Sequence, residues 1–212
     1  MEDVLAVYER PYDPRFPVVC LDEAGKELHS SPRGSLPVQP GREIYQDYEY
    51  ERHGVCNLFL AIEPLRGWRS VRVTERRTKL DFAEQLRLLV DQDYPEAEKI
   101  VLITDNLNTH RPACLYERFP AAEARRIAAK IEWHYTPEHG SWLNIAECEL
   151  SVLERQCLDR RISDIQTVMQ EVEAWQKRRN HALVTVNWQF TNEKARIKLK
   201  RLYPVIKEQN SG

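Results

Sequence analysis

With 212 residues, 42% of them apolar and 30% charged, the chain is suited to one sizeable hydrophobic core and not to a disordered or fibrous state. No run approaches the roughly eighteen apolar residues of a membrane span, and the opening MEDVLAVYER lacks a basic-then-apolar leader pattern, so a cytoplasmic protein without a membrane partner is expected. The net charge of −2 hides an asymmetry: residues 151–212 carry twelve Lys or Arg against seven Asp or Glu, on a body with nineteen basic and twenty-six acidic residues.

In chain order, PVVCLDE (17–23) is an apolar run closed by acids, which reads as a buried strand. The Pro, Gly and Ser of residues 30–43 read as a loop. Residues 43–64 show two β-rich runs around His53-Gly54, a hairpin signal, and WRSVRVTE (68–75) adds a further strand. In residues 78–94 the spacing of Leu80, Phe82, Leu86, Leu89 and Val90 is helical, with Pro95 as a stop. A strand over 98–104 follows, then a helix near 121–129 and a strand over 131–137. From Trp142 to Leu158 the apolar stripe Leu143, Ala146, Leu150, Leu153 and Cys157 predicts a helix. A last helix covers 162–180, with Ser163 as its N-cap. This order predicts an α/β protein in which helices pack on a mixed sheet. Cys20, Cys56, Cys114, Cys148 and Cys157 form no CxxC and no regular framework, so reduced thiols are expected.

Three acids occupy comparable places in that order. Asp22 closes the first strand, Asp105 closes the 98–104 strand, and Glu147 lies early in the helix after the last strand. Ligands of open α/β sheets gather outside the carboxyl ends of neighbouring strands, so Asp22 and Asp105 meet if their strands are parallel neighbours. Carboxylates brought together repel, and a hard divalent cation such as Mg²⁺ or Mn²⁺ relieves that repulsion. Asp105 has a second reading, as the cap of an Asx turn. Glu147 has rivals on its own helix: Glu154 lies on the same side, while Glu149 points about 200° away and is expected to be dispensable. The basic C-terminal part likewise has two readings, a polyanion contact or a solvated helical face.

The stretches VVCLDE, DYEYERHGVCNLFLAIEP, LITDNLNTH and HYTPEHGSWLNIAECELSVLERQCL resemble the catalytic domain of bacterial insertion-sequence transposases of the mariner superfamily. The resemblance runs from about residue 1 to about 200. It implies an RNase H-like, mixed five-stranded sheet with helices on both faces, related to that of retroviral integrases. It also implies a DDE triad of Asp22, Asp105 and Glu147 that holds two Mg²⁺ or Mn²⁺ ions. The implied activity is hydrolysis of DNA at the element's ends, followed by attack of the freed 3′-hydroxyl on target DNA. Asn106, His110, His139 and Asn144 fall in the same motifs and are expected to support the triad. Trp142 is read as a core anchor, and both histidines have structural readings too.

The implied partners are element-end and target DNA and a second copy of the chain in a synaptic complex. The basic QKRRN (176–180) and EKARIKLKRLYP (193–204) place Arg178, Arg179, Lys198 and Lys200 as phosphate contacts. The expected layout is a single catalytic domain, with a core over about 16–181 and a basic segment over about 182–212. Family members precede this domain with helix-turn-helix modules, for which no room is left before Asp22, so the expectation is either that a separate chain supplies end recognition or that the chain is a truncated or frameshifted product. Two rival readings remain: a catalytically idle, DNA-binding regulator derived from a transposase, and an RNase H-like nuclease with another role.

Overall fold

The computed structural model describes residues 1–32, 49–138 and 140–203. Five strands, β1 (Val18–Ser30), β2 (Glu51–Glu63), β3 (Trp68–Thr74), β4 (Ile100–Thr104) and β5 (Ile131–Tyr135), form one sheet in the order β3-β2-β1-β4-β5. β1 is antiparallel to β2 and parallel to β4, which is parallel to β5. The helices are α1 (Glu2–Tyr8), α2 (Lys79–Leu88), α3 (Ala113–Arg118), α4 (Ala121–Ala129), α5 (Ile145–Leu153), α6 (Ile165–His181) and α7 (Asn192–Lys198). Both α2 and α5 continue into one wider turn, over Leu89–Asp93 and Glu154–Leu158.

The strands divide their side chains between two cores. Cys20, Leu60, Ile62, Val101 and Ile103 pack with α1, α5 and α6 on one face. On the other, Val19, Leu21, Phe59, Ala61 and Leu102 pack with α2, α3 and α4. Helices therefore cover both faces of the sheet, which explains why every residue of IVLIT in β4 is buried. The two cores agree with the buried strand predicted at residues 17–23 and with the helical stripes of α2 and α5, except that Leu80 of the α2 stripe is exposed. Cys20, Cys56 and Cys114 are buried free thiols, as composition suggested. No helix among the described residues is long and apolar enough to cross a membrane.

The structure corrects three details. The hairpin does not turn at His53-Gly54: β2 runs through both, and its antiparallel partners are β1 and β3. Gly54, at φ 103°, lies where the register slips between Glu27↔Val55 and His29↔Arg52, so it serves a β-bulge. A glycine with positive φ suits a turn and a bulge equally, so sequence spacing could not separate them. Most of the predicted 30–43 loop, and the run preceding β2, lie outside the described residues. The N-cap of α6 is Asp164, not Ser163; the Thr167 amide donates to Asp164 Oδ1 at 2.8 Å. Trp142 is 43% exposed, with only an edge contact to Phe190, and its neighbour Leu143 is the fully buried anchor.

Candidate active site

The parallel register of β1 and β4 brings the first two acids together, but Asp22 does not close its strand as predicted: β1 runs on to Ser30, because its later residues stay paired with β2. Val18 pairs with Val101 and Cys20 with Ile103, so two residues further on Asp22 stands level with Asp105. Neither strand can move by one residue without turning its core face toward the opposite helices. The apolar residues that fix the register thus also fix the carboxylates.

Asn144 joins this rim to α5. Its side-chain oxygen caps the helix by accepting from the Ala146 amide at 3.1 Å. Its amide nitrogen donates to the Leu21 carbonyl at 3.1 Å and to Asp22 Oδ2 at 3.2 Å. Asn144 is completely buried, so one side chain fastens the first turn of α5 to β1 at Leu21 and Asp22. The Glu147 amide closes that turn on the Asn144 carbonyl at 3.1 Å. Tyr8 braces the same junction: its hydroxyl donates to the Leu143 carbonyl at 2.6 Å and accepts from the Ile145 amide at 3.4 Å. Sequence reading passed over Tyr8, although its spacing from Val4 and Leu5 marks a helix face.

The electrostatics are those of a crowded acid rim. Burial pushes the Asp22 carboxyl up to about 7, and the charges of Asp105 and Glu23 add to the effect. Asp105 Oδ1 receives the ring Nδ1 of His110 in a very short contact and the Leu107 amide at 3.4 Å. The Asx-turn reading of Asp105 is therefore present alongside the strand-end reading. Both contacts use Oδ1, which leaves Oδ2 as the oxygen for a ligand. His110 is buried and stacks on Phe82, with ring centroids 4.2 Å apart. Burial pulls its pKa down, but the contacts with Asp105 and Glu23 outweigh that and raise it to about 9.

The remaining predicted residues divide. Asn106 is exposed next to Asp105, and His139 lies outside the described residues. Glu147 is exposed on the first turn of α5. Among the described residues, no three carboxylate, imidazole or thiol groups stand close enough together to hold one cation, so Asp22, Asp105 and Glu147 do not form a closed three-ligand cluster here. The donor set is nonetheless suited to a hard divalent ion: it consists of oxygens, and a cation would relieve the penalty that keeps Asp22 protonated to about 7.

Arg178, Lys198 and Lys200 are exposed, but Arg179 is not a surface cation. It turns inward onto Glu149, with Nε 2.7 Å from Oε1 and Nη2 3.1 Å from Oε2. Glu149 is itself buried against Arg69, whose Nε lies 2.9 Å from Oε1. This buried cluster of two arginines and one glutamate ties α5 to β3 and α6, which gives Glu149 a structural role apart from cleavage.

A sheet in this order, with helices on both faces and Asp22 of β1 level with Asp105 just past the end of the parallel β4, is RNase H-like. Within that class, the chain belongs to the family described as DDE superfamily endonuclease, whose model matches residues 17–169. Two solved structures share the fold. The Mos1 strand transfer complex aligns with a TM-score of 0.55 at 14% identity, over 85% of this chain and 55% of that one. The Mos1 transposase paired-end complex with left transposon end aligns with a TM-score of 0.50 at 16% identity, over 85% and 56%. This chain therefore spans little more than half the length of those chains. No curated protein matches the chain.

Proposed function

We propose that this chain is a transposase catalytic domain of a bacterial insertion sequence, acting by divalent-ion-dependent cleavage of DNA and transfer of the freed 3′-hydroxyl into target DNA. The observation that carries the reading is the level placement of Asp22 and Asp105 on adjacent parallel strands, with Asn144 binding the Glu147 turn to the same rim. Asp22, Asp105 and Glu147 would hold Mg²⁺ or Mn²⁺, which supplies charge stabilisation at the attacking and leaving oxygens of a phosphodiester. Buried Asn144 keeps the turn that carries Glu147 against β1, and His110 orients the Asp105 carboxylate. Glu147 reaches the two aspartates through a side-chain or α5 adjustment on binding ion and DNA. Two copies acting on paired ends complete the proposal.

The deciding experiment incubates the purified protein with element-end duplexes, target plasmid and Mg²⁺ or Mn²⁺. Joining of 3′-ends to the target supports the proposal. Nicking without joining favours a nuclease of another role, and DNA binding without either favours the idle regulator.

Divalent ions should stabilise the fold in a pH-dependent way. Asp22 binds its proton more tightly when folded, so without cations it favours the folded state at low pH. That contribution falls as pH rises from the ordinary Asp value of 3.8 through about 7. An ion replaces the proton, so added Mg²⁺ or Mn²⁺ should raise Tm more at pH 7.5 than at pH 5. At a concentration one hundred times Kd the gain is about 2.7 kcal/mol. Equal responses at both pH values in calorimetry would contradict Asp22 as a ligand.

DNA affinity should fall steeply with salt, because cationic side chains that neutralise phosphates release counterions. Replacing Arg178, Lys198 and Lys200 by Ala should make the slope of log K against log salt shallower, by about 0.9 for each phosphate no longer neutralised. Titrations at several salt concentrations read the slope, and an unchanged value would place the DNA on another surface.

A further inference from the structure

Asp22 and Glu23 are neighbours on β1, so their side chains leave opposite faces of the sheet. Asp22 faces Asn144, whereas Glu23 shares the face of Val19 and Leu21, where Phe82 packs. Nothing in the proposed chemistry uses Glu23, yet its side chain is only 10% exposed. It meets the imidazole of His110: Glu23 Oε2 lies 3.0 Å from Nε2, while Nδ1 faces Asp105 Oδ1. That Glu23 oxygen makes no aligned hydrogen bond, so the contact is a close approach of a carboxylate to a ring nitrogen. The ring is stacked on Phe82 at 4.2 Å, and the His110 backbone carbonyl accepts from the Tyr135 hydroxyl at 3.2 Å. Its two nitrogens thus face two carboxylates, Glu23 on one side and Asp105 on the other.

From this geometry we infer that Glu23 is a positioning residue for the metal site. Acting through His110, it sets the orientation of the Asp105 carboxylate at the end of β4. The inference rests on the proposed function, because it gives Asp105 a cation to hold. Glu23 meets the ring at Nε2 and so fixes its tilt between β1 and Phe82, while Nδ1 holds Asp105 Oδ1 and leaves Oδ2 outside these contacts. Outer partners of this kind fix ligand geometry, and their loss typically lowers metal affinity about ten- to a hundredfold.

The test measures Mn²⁺ affinity by electron paramagnetic resonance of the free ion, and nicking of supercoiled plasmid across a Mn²⁺ series. Glu23→Ala should raise the Mn²⁺ Kd and the half-saturating Mn²⁺ concentration at least about tenfold, leaving the KM for plasmid unchanged. Glu23→Gln keeps the side-chain volume, so the fold should survive even if Ala disturbs it, and the same shift should appear in weaker form. In a His110→Asn background, adding Glu23→Ala should cause no further loss, because the effect travels through the ring. Wild-type Mn²⁺ affinity in both Glu23 variants, or a full additional loss in the His110→Asn background, overturns the inference alone. A wild-type protein that neither binds Mn²⁺ nor nicks overturns the proposed function and this inference with it.

Discussion

Asp22→Asn, Asp105→Asn and Glu147→Gln should each lower metal-dependent DNA cleavage by at least roughly a thousandfold, a loss of about 4 kcal/mol of transition-state stabilisation. Each change keeps the size of the side chain and removes the charge that holds a cation. Circular dichroism should be unaltered. Asp22→Asn should even raise the melting temperature at pH 7.5 in the absence of ions, since a buried carboxylate held up to about 7 is being replaced by a neutral amide. The three variants are not equivalent tests. Asp22 and Asp105 are already paired by the sheet, so a failure there would remove the site itself. Glu147 comes from α5, and wild-type cleavage by Glu147→Gln would pass its role to Glu154, further along the same helix side.

The second large effect concerns stability and not chemistry. Glu149→Gln should destabilise the protein by roughly 3 kcal/mol, because it leaves Arg69, which has no exposed side-chain surface, and the largely covered Arg179 sharing an uncharged partner. For a chain of this length that corresponds to a fall in Tm of about 6–12 °C. Arg69 cannot turn to solvent to relieve the loss. Its guanidinium is fixed by the Gly67 carbonyl at 3.1 Å and the Val184 carbonyl at 2.7 Å, and Asn180 bonds its backbone from α6. Below the melting transition the folded fraction should still cut DNA, since Glu149 faces away from the acid rim. Thermal and urea unfolding read the effect, and a Tm within a degree or two of wild type would show that the cluster is not a unit.

These two neighbouring glutamates mark the boundary of what a linear reading can do. Periodicity correctly put Glu147 and Glu149 on different sides of α5, because 100° per residue is a local property of the backbone. It could not say that the Glu149 side is packed against two arginines, since Arg69 and Arg179 arrive from β3 and α6, far away in sequence. Arg179 escapes a linear reading for the same reason. In QKRRN all the cations look alike, and only the packing of α6 turns one of them inward while Arg178 remains outside.

The acids were legible because VVCLDE and VLITD each run apolar into a carboxylate, but only Asp105 follows the end of its strand, since β1 continues past Asp22 to Ser30. The helical stripe of α5 and the family motifs were legible on the same local grounds. Whether those two strands were neighbours depended on a parallel pairing across about eighty residues, which no local propensity encodes. Asp22 and Asp105 stand level only because alternating side chains on β1 and β4 fill two different cores. Glu23 and Tyr8 were missed because their roles consist of contacts, one with a histidine beyond the end of β4 and the other with the turn before α5. Sequence determined which groups could do the chemistry, through local periodicity and side-chain type. Tertiary structure decided which of them meet, because pairing and burial join residues that the chain itself keeps far apart.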